Sequence, residues 1–135
     1  MDYLKTMFMV GCGGFIGASL RYSIGLLDVK WDFPIITFVI NILGSVLIGF
    51  VVELSDRMMV SQSPMTLLFK TGLCGGFTTF STFSLENLTL LESNHVKTAA
   101  SYMVLSVVCC IIGVKIGRML AAGVYLMLAG QPVQA

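Results

Sequence analysis

Four apolar stretches, each about 20 residues or longer, fill most of this chain, and that one feature leaves few folds open to it. In hydrocarbon no water pairs with a backbone N–H or C=O, so such a stretch must satisfy its own groups, and the helix does this. Hydropathy places the spans from about Leu4 to Leu27, Phe33 to Val52, Met65 to Leu91, and Val96 to Leu120 or beyond. Residues Ala121 to Leu128 are too short to cross alone and read as an extension of the last helix. Charged residues are 11% of the chain, against about 25% in a soluble domain. The expected fold class is therefore all-α and integral to the membrane, with one four-helix transmembrane domain over residues 1–135. The apolar run after Lys5 lacks a small-residue cleavage site and reads as an uncleaved first span.

The third span is poorly made for a helix. It contains Gly72-Leu73-Cys74-Gly75-Gly76-Phe77-Thr78-Thr79-Phe80-Ser81-Thr82-Phe83-Ser84-Leu85-Glu86. Gly75 and Gly76 weaken a helix through backbone entropy, and Thr78, Thr79 and Thr82 add β-branched strain. A break is expected here, and inside a membrane it survives only where it is buried in protein or lines a wet path. Interrupted helices of this kind bring carbonyls and helix ends to ion sites near the bilayer midplane. The i, i+3 spacing of Phe77, Phe80 and Phe83 predicts three rings on one helical face.

Other polar groups fall within the spans. Asn41 lies near the middle of the second, where it is either a helix–helix hydrogen bond or a donor to a solute. Arg21, near the end of the first span, either snorkels to the interface or sets the potential at a pore mouth. Tyr102, Ser106 and Cys110 recur at i, i+4, i+8 and form one stripe, which is packing glue or a polar track. Gly13, Gly14 and Gly17 offer close helix packing in the first span. Glu86 is the one carboxylate clearly within a span region, and His95 is the only histidine. Trp31 suits an interfacial anchor. The four cysteines lie in apolar segments without metal or disulfide spacing. With no nucleophile–base pair, phosphate loop or metal-spaced cluster in the sequence, enzymatic activity is not expected.

Cations divide almost evenly. Lys5, Arg57, Lys70, Lys115 and Arg118 fall on or near one side, and Arg21, Lys30 and Lys97 on the other. Either a weakly marked single topology or insertion in both orientations follows. Four short helices leave one copy little room for a protected aqueous path, so an oligomer is expected. Hydroxyls, an amide, an Arg and aromatic ring edges suit a small anion. Carbonyls freed by the break suit a hard cation such as Na⁺.

These residues resemble the Fluc (CrcB-type) fluoride channels, small proteins that export F⁻ from microbial cells. The likeness rests on Gly13-Gly14-Phe15-Ile16-Gly17-Ala18 with Arg21-Tyr22, on Asn41 with Gly44-Ser45, and above all on the run from Gly75 to Ser84 with Glu86. It implies an antiparallel, dual-topology homodimer in a bacterial cell membrane, two fluoride pathways at the subunit interface, and fluoride resistance as the outcome. It also implies a structural Na⁺ on the two-fold axis, held by backbone oxygens of Gly75 and Thr78. The resemblance assigns Asn41, Phe80, Phe83, Ser81, Thr82, Tyr102 and Ser106 to the fluoride pathway, with Arg21 and Glu86 at its vestibule. Cys110 stands where the family often carries a further hydroxyl. Two other readings are a small multidrug-type dual-topology exporter, which would need a carboxylate deep in the first helix where only the terminal Asp2 is found, and a non-transporting membrane scaffold.

Overall fold

The structure, a computed structural model, describes residues 3–27, 29 and 31–130. Helix α1 (Tyr3–Gly25) and α2 (Ile35–Arg57) are continuous. The third span is assembled from pieces: α3 (Pro64–Leu67), a π-helical segment (Leu68–Cys74), α4 (Gly75–Phe77) and, after a gap, α5 (Phe80–Glu92). Helix α6 (Val96–Leu128) closes the bundle and carries Ala121 to Leu128 as an unbroken continuation. Three helices (α1, α2 and α6) are long and apolar enough to cross a membrane. The third span, built of shorter pieces, is not among them. Asp2 and Lys30 lie outside the described residues.

Local chemistry explains the ends. Ser63 caps α3 by accepting from the Thr66 N–H at 3.1 Å, and Pro64 occupies the first turn, where its missing N–H costs nothing. Helix α5 stops at Asn94, whose φ of 62° is a left-handed conformation that Asn tolerates, while the His95 N–H turns back to the Leu90 carbonyl. Helix α2 runs past the expected end at Val52 because its charges are paired. Glu53 accepts from both Arg57 and Arg118 at 2.8 Å, and Arg57 lies over the Tyr125 ring.

Glycine decides which helices touch. A Cβ on Gly72 would sit 2.5 Å from the Val10 carbonyl, one on Gly76 2.5 Å from the Gly14 carbonyl, and one on Gly17 2.7 Å from the Phe77 nitrogen. Gly13-x-x-x-Gly17 and Gly72-x-x-x-Gly76 thus bring two backbones together, and the partners advance in step, so α1 and the third span run parallel. A second pair is built the same way. Gly113 faces Ile42 and Gly117 faces Val46 and Phe50, which makes α2 and α6 parallel as well. Outside these seams Phe8, Phe15, Val104 and Ile111 stand more than half exposed, a surface suited to lipid rather than water.

Gly76→Leu drives a side chain into the α1 backbone and is expected to cost about 1–3 kcal/mol of stability or more. Gly123→Ala, with nothing within 4 Å of its added carbon, should stay within about 0.5 kcal/mol. Thermal unfolding of the two variants in detergent, followed by circular dichroism, checks the difference.

Candidate functional site

The break falls at Thr78 and Thr79, within the weak run of glycines and threonines where it was expected. Gly75 is helical, and Thr78 (φ −79°, ψ 158°) and Thr79 (φ −149°, ψ 115°) are extended. The physical reason is a division of labour: Gly76 is needed for contact with α1, whereas β-branched threonines accept extended backbone readily. The break also separates the rings. Phe77 is 6% exposed and packs towards Gly44, whereas Phe80 is 79% exposed with its centroid 5.6 Å from that of Phe83. The expected three-ring face is thus corrected to a pair.

Asn41 holds the gap. Its Nδ2 donates to the Thr79 carbonyl at 3.1 Å, and its Oδ1 accepts from the Thr79 N–H at 2.8 Å. One side chain therefore satisfies both backbone groups of the residue that leaves the helix. The Thr79 hydroxyl, in turn, accepts from the Thr82 N–H at 3.1 Å and so caps α5. Arg21 donates from Nε to the Gly76 carbonyl at 3.1 Å, and the Cys74 carbonyl accepts from Thr78. No hydrogen bond is found on the Gly75 or Thr78 carbonyl among the described residues.

Two cavities meet at Thr79. The first, about 310 Å³, is a groove floored by Asn41, Gly44 and Ser45 and walled by Gly75, Thr78, Phe80 and Phe83 on one side and Ser106 and Cys110 on the other. The second, about 480 Å³, is lined by Arg21, Thr37, Thr79, Thr82 and Glu86. Tyr102 borders neither. It is fully buried, its ring packs against Phe83 at 5.0 Å, and its hydroxyl donates to Glu86 at 2.8 Å. Ser81 is exposed on α5, 3.3 Å from the Thr79 hydroxyl, and lines neither space.

Sequence reasoning passed over Thr37 and took Thr79 only as a residue that weakens the helix. Thr37 donates to the other Glu86 oxygen at 2.7 Å, so the carboxylate is held from α2 and α6 together. The missed signal was the spacing of Thr37, Asn41 and Ser45 at i, i+4, i+8, which mirrors Tyr102, Ser106 and Cys110 on the parallel partner helix.

Ser106 is 6% exposed, and its hydroxyl has no hydrogen-bond partner. A buried hydroxyl in that state costs roughly 1–3 kcal/mol, so this wall of the groove is prepared for an acceptor. The donor set also fits a hard monovalent cation. The Gly75 and Thr78 oxygens are neutral and uncommitted, nothing lies within 4 Å of the Gly75 Cβ position, and no cluster of His, Cys, Asp or Glu competes among the described residues.

Residues 8–118 match the family model described as CrcB-like protein, Camphor Resistance (CrcB). The chain is 44% identical over 124 residues to a fluoride-specific ion channel FluC from Ruminiclostridium cellulolyticum, covering 90% of this chain and 95% of the relative. It is 41% identical over 124 residues to the FluC of Clostridium perfringens, covering 90% and 97%, and 42% identical over 129 residues to that of Roseobacter denitrificans, covering 91% and 100%. Every residue of the groove and of the cavity beside it falls within the matched region.

Asn41→Ala leaves the Thr79 N–H and C=O unpaired and should destabilise the protein by about 1–3 kcal/mol or more. Ser84→Ala, which removes only an exposed bond to the Phe80 carbonyl, should be close to neutral. Denaturation midpoints of the two in the same detergent decide it.

Proposed function

This chain belongs to the CrcB family, and on that premise we propose that it is a fluoride-specific channel that lets F⁻ leave the cytoplasm passively and so lowers fluoride toxicity. The observation in the site that carries most weight is the buried, unpartnered hydroxyl of Ser106, a residue that borders the groove together with Asn41, Phe80 and Phe83. F⁻ is a compact acceptor that must trade its water for other donors. Ser106 and the second N–H of Asn41 supply them, and the Phe80 and Phe83 ring edges add positive potential without a net charge. Binding of this strength lets the ion enter and move on, as conduction requires. Thr82 lines the second cavity with Arg21 and Glu86, which shape the vestibule, while Tyr102, buried behind both spaces, positions the Glu86 carboxylate.

The working unit is an antiparallel homodimer inserted in both orientations, with two pathways at its interface. Phe80 lies exposed beside carbonyls that lipid cannot satisfy, and a second copy meets both needs. Lysines and arginines are spread almost evenly between the chain's two ends, which leaves its orientation weakly marked. A structural Na⁺ would be held by the Gly75 and Thr78 carbonyls of the two subunits and would supply a fixed positive charge between the two breaks. The site of action is the cell membrane. In acid surroundings neutral HF crosses the bilayer and dissociates inside, and an inside-negative potential worth about 2.3 kcal/mol per charge per 100 mV drives F⁻ out. The multidrug-exporter and scaffold readings find no support in the relatives.

Liposomes loaded with fluoride and reconstituted with the purified protein should release F⁻ rapidly, as read by a fluoride electrode; no release above protein-free liposomes overturns the reading. Phe80→Ile should cut efflux by more than about tenfold while the dimer stays assembled in size-exclusion chromatography. Asn41→Asp, which places a carboxylate where a donor is needed, should block it as well, and normal efflux from that variant would remove Asn41 from the path.

A further inference from the structure

Two arginines towards the C-terminal ends of α2 and α6 take no part in the anion pathway. Arg57 gives its Nε to one oxygen of Glu53, and Arg118, on the neighbouring helix, gives its Nε to the other, each at 2.8 Å. Glu53 is the enclosed member, with 13% of its side chain exposed, against 37% for Arg57 and 56% for Arg118. The Arg57 guanidinium also lies 5.7 Å from the centre of the Tyr125 ring, so its direction is set from two sides. Each guanidinium is thus fixed through Nε, while its Nη1 and Nη2 donate to no acceptor among the described residues. Lys115 stands exposed one turn before Arg118, on the same side of α6. These three cations face two carboxylates, Glu53 and the exposed Asp56, so the cluster keeps one positive charge in excess.

The surroundings make the spare donors informative. Along α6 exposed apolar side chains precede Arg118, at Ile111 and Ile112, and follow it, at Met119 and Leu120. The cations are therefore set within lipid-facing surface, where donors left without water need another acceptor. A phosphate diester suits them, because a guanidinium fork grips two of its oxygens at once. Glu53 does not stand against such a ligand, since both its oxygens are turned onto Nε groups.

We propose that Arg57 and Arg118 form a binding site for the phosphate of an anionic phospholipid of the phosphatidylglycerol class, seated where α2 meets α6, with its acyl chains along Ile111 and Ile112. Basic sites between membrane helices hold such headgroups, and the excess positive charge disfavours a headgroup that carries its own cation. A free phosphate ion has the same chemistry but gains only the two forks, which salt screens. The lipid adds the contact of its chains with α6. The assignment does not rest on the channel reading, so fluoride efflux and lipid retention can fail separately.

The full chain is reconstituted in nanodiscs that hold equal amounts of phosphatidylglycerol and phosphatidylcholine with the same acyl chains, and the lipids it retains are counted by native mass spectrometry. The unmodified chain should retain phosphatidylglycerol over phosphatidylcholine by at least about fivefold. Arg118→Lys keeps a charge for Glu53 but loses the fork, and should lose most of that preference. Joint replacement of Glu53, Arg57 and Arg118 by Gln should abolish it. Lys97→Gln, which also lowers the net charge by one but at the other end of α6, should leave it unchanged. Inorganic phosphate in large excess should not displace the lipid. Equal retention of the two lipids by the unmodified chain overturns the proposal, as does a preference that survives Arg118→Lys or the triple replacement, or one that is lost in Lys97→Gln. Displacement by inorganic phosphate overturns the lipid assignment and leaves a soluble-anion site in its place.

Discussion

Asn41 forms both halves of an amide clamp on Thr79, donating to its carbonyl and accepting from its N–H, and the geometry of the third span follows from that pair of bonds. A helix opened inside a membrane exposes backbone groups that lipid cannot pair, at a cost of several kcal/mol each. One side chain removes two of them at once. The clamp also fixes where the gap lies, because Thr79 borders both cavities and its hydroxyl starts α5. With Thr79 and Gly76 provided for, the Gly75 and Thr78 oxygens remain uncommitted at the surface of the groove.

The surrounding helices are arranged so that this clamp is reached from the correct side. Close glycine seams join α1 to the third span and α2 to α6, each pair running parallel. Since α2 and α6 run in one direction, equal spacing in sequence becomes correspondence in space. Thr37 and Tyr102 meet at Glu86, while Asn41, Ser45, Ser106 and Cys110 border one groove a turn or two further on. The same groups could not face each other in this order across antiparallel neighbours.

Much of this could be read in the chain beforehand, and the failures have identifiable causes. Long apolar stretches marked the continuous helices and the extension to Leu128, because backbone pairing in lipid allows little else. The end of α2 was placed too early because Glu53, Asp56 and Arg57 looked like a loop, when Arg57 and Arg118 neutralise Glu53 within the helix. The break was expected in the run that joins Gly75-Gly76 to Thr78, Thr79 and Thr82, and it falls there; what the sequence could not divide is the labour within the run, where Gly76 lets α1 approach and the threonines after it take the extended backbone. Thr37 was overlooked because an isolated hydroxyl in a helix usually bonds its own turn, and its partner Glu86 lies 49 residues away. Hydropathy and spacing identify helices and stripes, but a clamp between two elements is a tertiary fact.

The most direct measurement is the exchange of the Thr79 backbone amide with deuterium, followed by NMR on the protein in nanodiscs. An extended residue between two helix pieces would ordinarily exchange quickly once water reaches the groove. The account predicts that Thr79 is protected to the level of its helical neighbours and that replacing Asn41 with alanine abolishes this protection. Rapid exchange in the unmodified chain, or protection that survives the loss of Asn41, would contradict it.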